Sequence, residues 1–192
     1  TEAHRLLSEQ PVIETHSGFY QNSVTVSMSV PDGLTIRYTL DGSVPDETSP
    51  VYDGSLTFTD PGSQPNVYSA RTDIAAETTA YLPPTEAVDK AVILRAAAFD
   101  ADGNQSNPVT ATYFINLDRK EGYQNAWIVS LISEPDNLFS DERGIYVRGS
   151  VYEQALQDGI IYEEFPWIDL MDYMNYHREG SESERRAQLT IF

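Results

Sequence analysis

Chemistry in a chain of this composition would start from its carboxylates, because 30 of the 192 residues are Asp or Glu. Paired carboxylates occur at Glu163-Glu164, Asp169 with Asp172, and Glu182 with Glu184. Two carboxyl groups about 5–10 Å apart across a cleft, one with a raised pKa, hydrolyse glycosidic bonds. So acidic a chain produces such pairs by composition alone, and no motif frames any of them, so none is assigned a catalytic role. Asp100-Ala101-Asp102-Gly103-Asn104 is similar to half a calcium loop, whose Asp and Asn oxygens suit a hard cation. The twelfth position from Asp100 is Ala111 rather than a bidentate Glu, and the flanks read as strands. A tight inter-strand turn using Gly and Asn is expected there, and likewise at Asp41-Gly42. His4, His16 and His177 share no ligand spacing. Cysteine is absent, which removes disulfides, thiolate zinc sites and thiol catalysis together. Asn104-Gln105-Ser106 satisfies the glycosylation pattern. No glycine-rich phosphate loop, Walker motif or kinase catalytic-loop pattern is present. The reading therefore names no catalytic, cofactor-binding or metal-ligating residue, and no cofactor.

Aromatic residues are the stronger signal, with 12 Tyr and 2 Trp in the chain. Tyr38 and Tyr113 fall on the core faces of predicted strands, so packing is their expected role. Tyr162, Phe165, Trp167, Tyr173 and Tyr176 cluster near the end without a clear period. Aromatic faces both anchor interfaces and stack on sugar rings. Two uses follow for this group: packing against a neighbouring domain, or forming a glycan- or protein-binding patch.

The elements that must carry these residues are mostly strands. Val24, Val26, Met28 and Val30 alternate with polar residues, and Ile36, Tyr38 and Leu40 do the same after the Pro31-Asp32-Gly33 turn. Further strands are expected at 56–59, 92–100 and 109–115, the second of them apolar on both faces and hence central. Residues 60–90 carry four prolines and little periodicity, a long connection of the kind that is usually functional; a short helical turn fits 75–80. About 100 residues of short strands and turns suit an immunoglobulin-like sandwich. Residues 118–125 read as a linker. After it, 127–132 reads as a buried strand, Ser133 as the N-cap of a short helix through Phe139, 145–147 as a strand, 151–156 as a helix ended by Gly159, and 185–192 as a strand.

Net charge is −18 and the pI about 4.3. That field repels nucleic acid and anionic lipid, which attract basic surfaces. No apolar stretch approaches the ~20 residues of a membrane helix. Thr1 to Gln10 lacks a basic flank followed by an apolar run, so no signal peptide is expected within it.

The stretch SGFYQNSVTVSMSVPDGLTIRYTLDGSVPDETSPVYDG, residues 17–54, together with VILRAAAFDADGNQSNPVTATYFI further on, resembles the chitobiase/β-hexosaminidase C-terminal type of immunoglobulin-like domain. The resemblance implies an accessory β-sandwich with no catalytic residues of its own. VSLISEPDNLFSDERGIYVRG (129–149) and NYHREGSESERRAQLTIF (175–192) resemble the opening of the spore-coat protein H (CotH) kinase family, whose members are bacterial surface, spore or secreted proteins. That family's nucleotide- and metal-binding residues would lie beyond Phe192.

The expected fold class is thus mainly β: an antiparallel sandwich plus a small α+β C-terminal segment. Its expected layout is an N-terminal extension (1–10), the sandwich (11–117), a linker (118–125) and the start of an incomplete CotH-like domain (126–192). The expected function is that of a non-catalytic spacer and docking module, bacterial and extracellular or at the cell surface. Its expected partners are its own downstream domain and a cell-surface or polysaccharide ligand, with no nucleic acid and no membrane insertion. The alternative is a carbohydrate-binding module using exposed aromatics.

Overall fold

Period-two alternation sends every second side chain of a strand to one face, so a half-apolar strand must find a second layer. The computed structural model, which describes residues 5–74, 82–117, 123, 125–162 and 171–192, shows how that is met. The described residues form two compact units: 1–64 with 89–131 and 189–192, and 65–88 with 132–188.

In the first unit, a four-stranded sheet runs in the order β2 (Gly18–Tyr20), β8 (Val109–Ile115), β7 (Val92–Phe99), β5 (Thr35–Thr39). β7 and β8 pair antiparallel with Leu94 opposite Ala111, and β5 lies antiparallel to β7 with Ile36 opposite Ala98. β2 runs parallel to β8, a departure from the all-antiparallel sheet expected. Opposite lie two ribbons: β1 (Val12–Ile13) with β4 (Met28–Ser29), and β3 (Ser23–Val26) with β6 (Leu56–Thr59). The predicted strand over 24–30 is therefore broken near Ser27, and the chain hops between sheets from β4 to β5 rather than closing a hairpin.

Val24, Val26 and Met28 from the ribbons meet Ile36, Leu94, Ala96, Ala111, Tyr113 and Ile115 from the sheet. Tyr113 is wholly buried, its ring edge-on to Tyr20 at 5.9 Å and stacked on Phe58 at 6.1 Å, and its hydroxyl donates to Thr15 O at 2.9 Å. On the central strand β7, Ala96, Ala97, Ala98 and Phe99 are all buried, so both faces are covered, as expected for a strand apolar on both sides. The turn glycines Gly33, Gly42 and Gly103 have φ of +88°, +88° and +81°, the left-handed values those turns require.

The second unit has the two predicted helices, α1 (Pro135–Phe139) and α2 (Ser150–Gln157). Gly159, at φ +68°, ends α2 as expected, with Ile160 N donating to Ala155 O. Two details differ from the sequence expectation. Ser133 does not cap α1; its hydroxyl donates to Arg186 O (2.7 Å) and accepts from Asn137 Nδ2 (3.0 Å), while Glu134 holds the cap position with proline next to it. Residues 145–147 form a turn rather than a strand, since Ile145 N and Tyr146 N donate to Asn137 O and Leu138 O instead of to a neighbouring strand. Phe139 anchors this turn, stacked on Tyr68 at 4.7 Å and edge-on to Tyr146.

Candidate functional site

The last strand pair places its apolar side chains outward. β9 (Val129–Ser133) pairs with β10 (Ala187–Ile191). Ile128 N donates to Phe192 O at 3.2 Å and Phe192 N to Ile128 O at 2.9 Å, the reciprocal bonds of an antiparallel pair. Counting along the ladder sets Val129 opposite Ile191 and Leu131 opposite Leu189. Within the first unit, the inner side of this ribbon covers the outer face of the four-stranded sheet. Ser130, buried, shares a 2.9 Å hydrogen bond with the hydroxyl of Thr112. The Phe192 ring meets Phe114 edge-on at 5.0 Å and Phe19 at 6.0 Å, and those two stack on each other at 4.9 Å.

The outer side carries Trp127, 82% exposed, with Val129, Leu131, Leu189 and Ile191 each more than half exposed. A ribbon facing water on one side normally turns its polar residues out. Here the polar Ser130 faces inward and the branched apolar residues face out. Register locks that choice, because a one-residue slip would break both the Ser130–Thr112 bond and the Phe192 ring contacts. A contiguous exposed apolar patch of this kind marks an interaction surface.

The expected strand over 127–132 therefore exists but is buried on one face only. Trp127 is the functional candidate the sequence reading missed. Its signal was present in the alternation of Trp127, Val129 and Leu131, with Ser130 between them.

Of the aromatic residues proposed from sequence, Tyr162 is exposed, whereas Tyr173 and Tyr176 are half-buried against Tyr152, Ala155, Ile161 and Met174. These two aromatics thus belong to a small internal core. Burial pushes the Tyr176 phenol above its usual value, with Arg148 partly offsetting it. Phe165 and Trp167 lie outside the described residues, as do Glu163, Glu164, Asp169, His4 and the predicted turn at 75–80.

The acidic turns spend their oxygens locally. Asp100 Oδ1 accepts from Asp102 N and Asn104 N, and its Oδ2 from Asn104 Nδ2 at 2.8 Å; the Asn104 side chain holds the carboxyl below its usual range. Asp41 accepts from the Ser43 hydroxyl and amide, with the same effect on its pKa. Both are Asx turns between strands. Among the described residues, no three His, Cys, Asp or Glu side chains converge to hold a metal ion. No helix among them is long and apolar enough to cross a membrane.

In comparison with known proteins, residues 15–110 match the family described as chitobiase/beta-hexosaminidase C-terminal domain. The matched span runs from the segment before β2 into β8, and so takes in both layers of the sandwich. No curated protein and no solved structure is matched by the chain.

Proposed function

We propose that this chain, which belongs to the chitobiase/beta-hexosaminidase C-terminal domain family, spaces and docks a following CotH-like domain in a bacterial surface or secreted protein. The family is a carbohydrate-associated immunoglobulin-like domain with an accessory, non-catalytic role. The reading rests on one observation: the β9–β10 ribbon is held against the sheet with its apolar face outward. Such a face lowers its free energy by contact with another folded surface. Residues 126–192, in this proposal, are the opening of the docked domain.

Carbohydrate binding through exposed aromatics is the competing reading. Sugar platforms pair aromatic faces with polar groups that bond the hydroxyls. Trp127 instead stands beside four branched aliphatic side chains, a surface suited to protein packing.

The double variant Leu131→Asp, Ile191→Asp tests the proposal. Both side chains are more than half exposed, so each change should cost the 192-residue chain no more than about 0.5 kcal/mol, a shift of the thermal midpoint by about 1–2 °C. In a polypeptide extended beyond Phe192, the same variant should separate the melting of the sandwich from that of the following domain. A single unchanged joint transition contradicts docking, and ATP hydrolysis by the 192-residue chain alone contradicts the non-catalytic assignment.

A further inference from the structure

The chain holds five Asp-Gly pairs, at residues 32–33, 41–42, 53–54, 102–103 and 158–159. An Asp-Gly pair can rearrange without an enzyme, because glycine has no side chain to shield its amide nitrogen from the preceding carboxyl group. Attack by that nitrogen requires an N–H not committed to an acceptor, a carboxyl group not tied to other donors, and a backbone free to turn.

Four of the pairs are held. Asp41 Oδ1 accepts from the Ser43 amide at 3.0 Å and from its hydroxyl at 2.6 Å. Gly103 N donates to Asp100 O at 3.3 Å. Gly159 N donates to Leu156 O at 3.1 Å, and Asp158 Oδ1 accepts from Gln154 Nε2 at 2.9 Å. Asp32-Gly33 is the centre of a turn closed by Leu34 N on Pro31 O at 3.3 Å. All four glycines lie at positive φ, between +68° and +88°, which their turns fix.

Asp53-Gly54 is different. Both residues are exposed and lie in no helix or strand. Among the described residues, neither makes a hydrogen bond or ion pair. Gly54 is outside the left-handed region, and nothing stands within 4 Å of where its Cβ would be. The surrounding chain is nevertheless anchored. Tyr52 N donates to Ile36 O at 2.8 Å, the Tyr52 hydroxyl accepts from Met28 N at 3.0 Å, and β6 begins at Leu56. An extra backbone atom at Asp53 thus falls in a short exposed link, residues 53–55, between two fixed segments.

We propose that Asp53-Gly54 is the modification site of the folded chain, where aspartate converts to isoaspartate. Gly54 N bonds to Asp53 Cγ, and the carboxyl hydroxyl leaves as water with the amide proton, closing a succinimide ring. Water then opens the ring. Cleavage between the nitrogen and Cγ restores aspartate, whereas cleavage between the nitrogen and the Asp53 main-chain carbonyl carbon routes the chain through Cγ. One water is lost and one gained, so the mass is unchanged.

Peptide mapping of the folded 192-residue chain, aged in mildly acidic buffer, tests this with an endoprotease that cuts before aspartate but not before isoaspartate. Cleavage between Tyr52 and Asp53 should be lost at least tenfold faster than cleavage before Asp32, Asp41, Asp102 or Asp158. In concentrated urea, where the turns are gone, all five sites should react within threefold of one another. Gly54→Ala places a methyl group in open space, so it should keep the parent's thermal midpoint while slowing the loss at Asp53 at least fivefold. Retained cleavage before Asp53 on aging, or loss at another pair as fast as at Asp53 in the folded chain, overturns the proposal. A lead for Asp53 that persists undiminished in urea also overturns it, since local sequence rather than the fold would then select the site.

Discussion

Replacing Tyr113 by Ala should lower the stability of the sandwich by about 3–5 kcal/mol, the cost of deleting a fully buried aromatic ring that its surroundings cannot refill. The ring bridges both layers, touching Tyr20 and Phe58, and its hydroxyl satisfies Thr15 O. For a chain of this length the loss corresponds to a fall in thermal midpoint of about 10 °C. Tyr113→Phe keeps the ring and leaves Thr15 O unpaired, so it should cost only about 1–2 kcal/mol. A midpoint for the Ala variant within 2 °C of the parent would show that Tyr113 does not hold the layers together. Alkaline pH probes the same residue. Burial, with a smaller contribution from Tyr20, raises the Tyr113 phenol above its ordinary value near 10, because the phenolate is disfavoured there. A raised folded pKa means that the contribution is complete below about pH 10 and is lost as pH climbs toward the folded value. Denaturant titrations should therefore show stability falling above pH 10, with a smaller fall in Tyr113→Phe.

Gly149→Ala should disrupt the second unit with comparable force. Gly149 stands just before α2 at φ +87°, a left-handed backbone that costs an L-residue about 1–2 kcal/mol. A Cβ there would also overlap the Asn175 side-chain amide, which cannot retreat without giving up its bond to Asp141 O. Together these should cost about 3 kcal/mol or more. The effect should be local: amide exchange of Tyr152 and Ala155 in α2 should accelerate at least a hundredfold, while that of Leu94 and Ala111 in the sandwich stays within threefold. Adding Asn175→Ser should relieve the overlap but not the backbone strain, giving partial recovery. Full recovery, or exchange in α2 as slow as in the parent, would refute this account of the glycine.

Where alternation governed burial, the fold was legible in the sequence. The limits of β6 and β8 match those expected, and β7 differs from its expected span only at Asp100, because Leu56–Thr59, Val92–Phe99 and Val109–Ile115 alternate or run apolar between clear turn residues. The helix end at Gly159 followed from the same kind of local chemistry. Partner choice was not legible. Val24 to Val30 reads as one strand, but it is divided between β6 and β1 as separate partners, a decision made by the opposing layer. The parallel pairing of β2 with β8 joins residues more than 90 apart and leaves no local mark. Ser133 has the composition of a cap but bonds Arg186 instead, 53 residues away.

The candidate site divides along the same line. Tyr173 and Tyr176 looked like surface aromatics because their period is irregular, and 3₁₀ turns at Met171–Tyr173 and Asn175–His177 instead fold them onto Met174 and Ile161. Trp127 was hidden for the opposite reason. An apolar run suggests burial, and only the hydrogen bond between the Ser130 and Thr112 hydroxyls reveals which face is buried. Asn175 lies in a polar run with nothing in the sequence to mark it. Its burial comes from Gly149 and Asp141, both distant along the chain.

Hydroxyl-radical footprinting of Trp127 tests the docking claim most directly, comparing the 192-residue chain with a polypeptide that continues beyond Phe192. The account predicts rapid oxidation of Trp127, with labelling of Leu131, Leu189 and Ile191, in the shorter chain, and at least tenfold protection of all four in the longer one. Equal labelling of the ribbon in both would contradict it, since the outward apolar face would then be covered by nothing that follows.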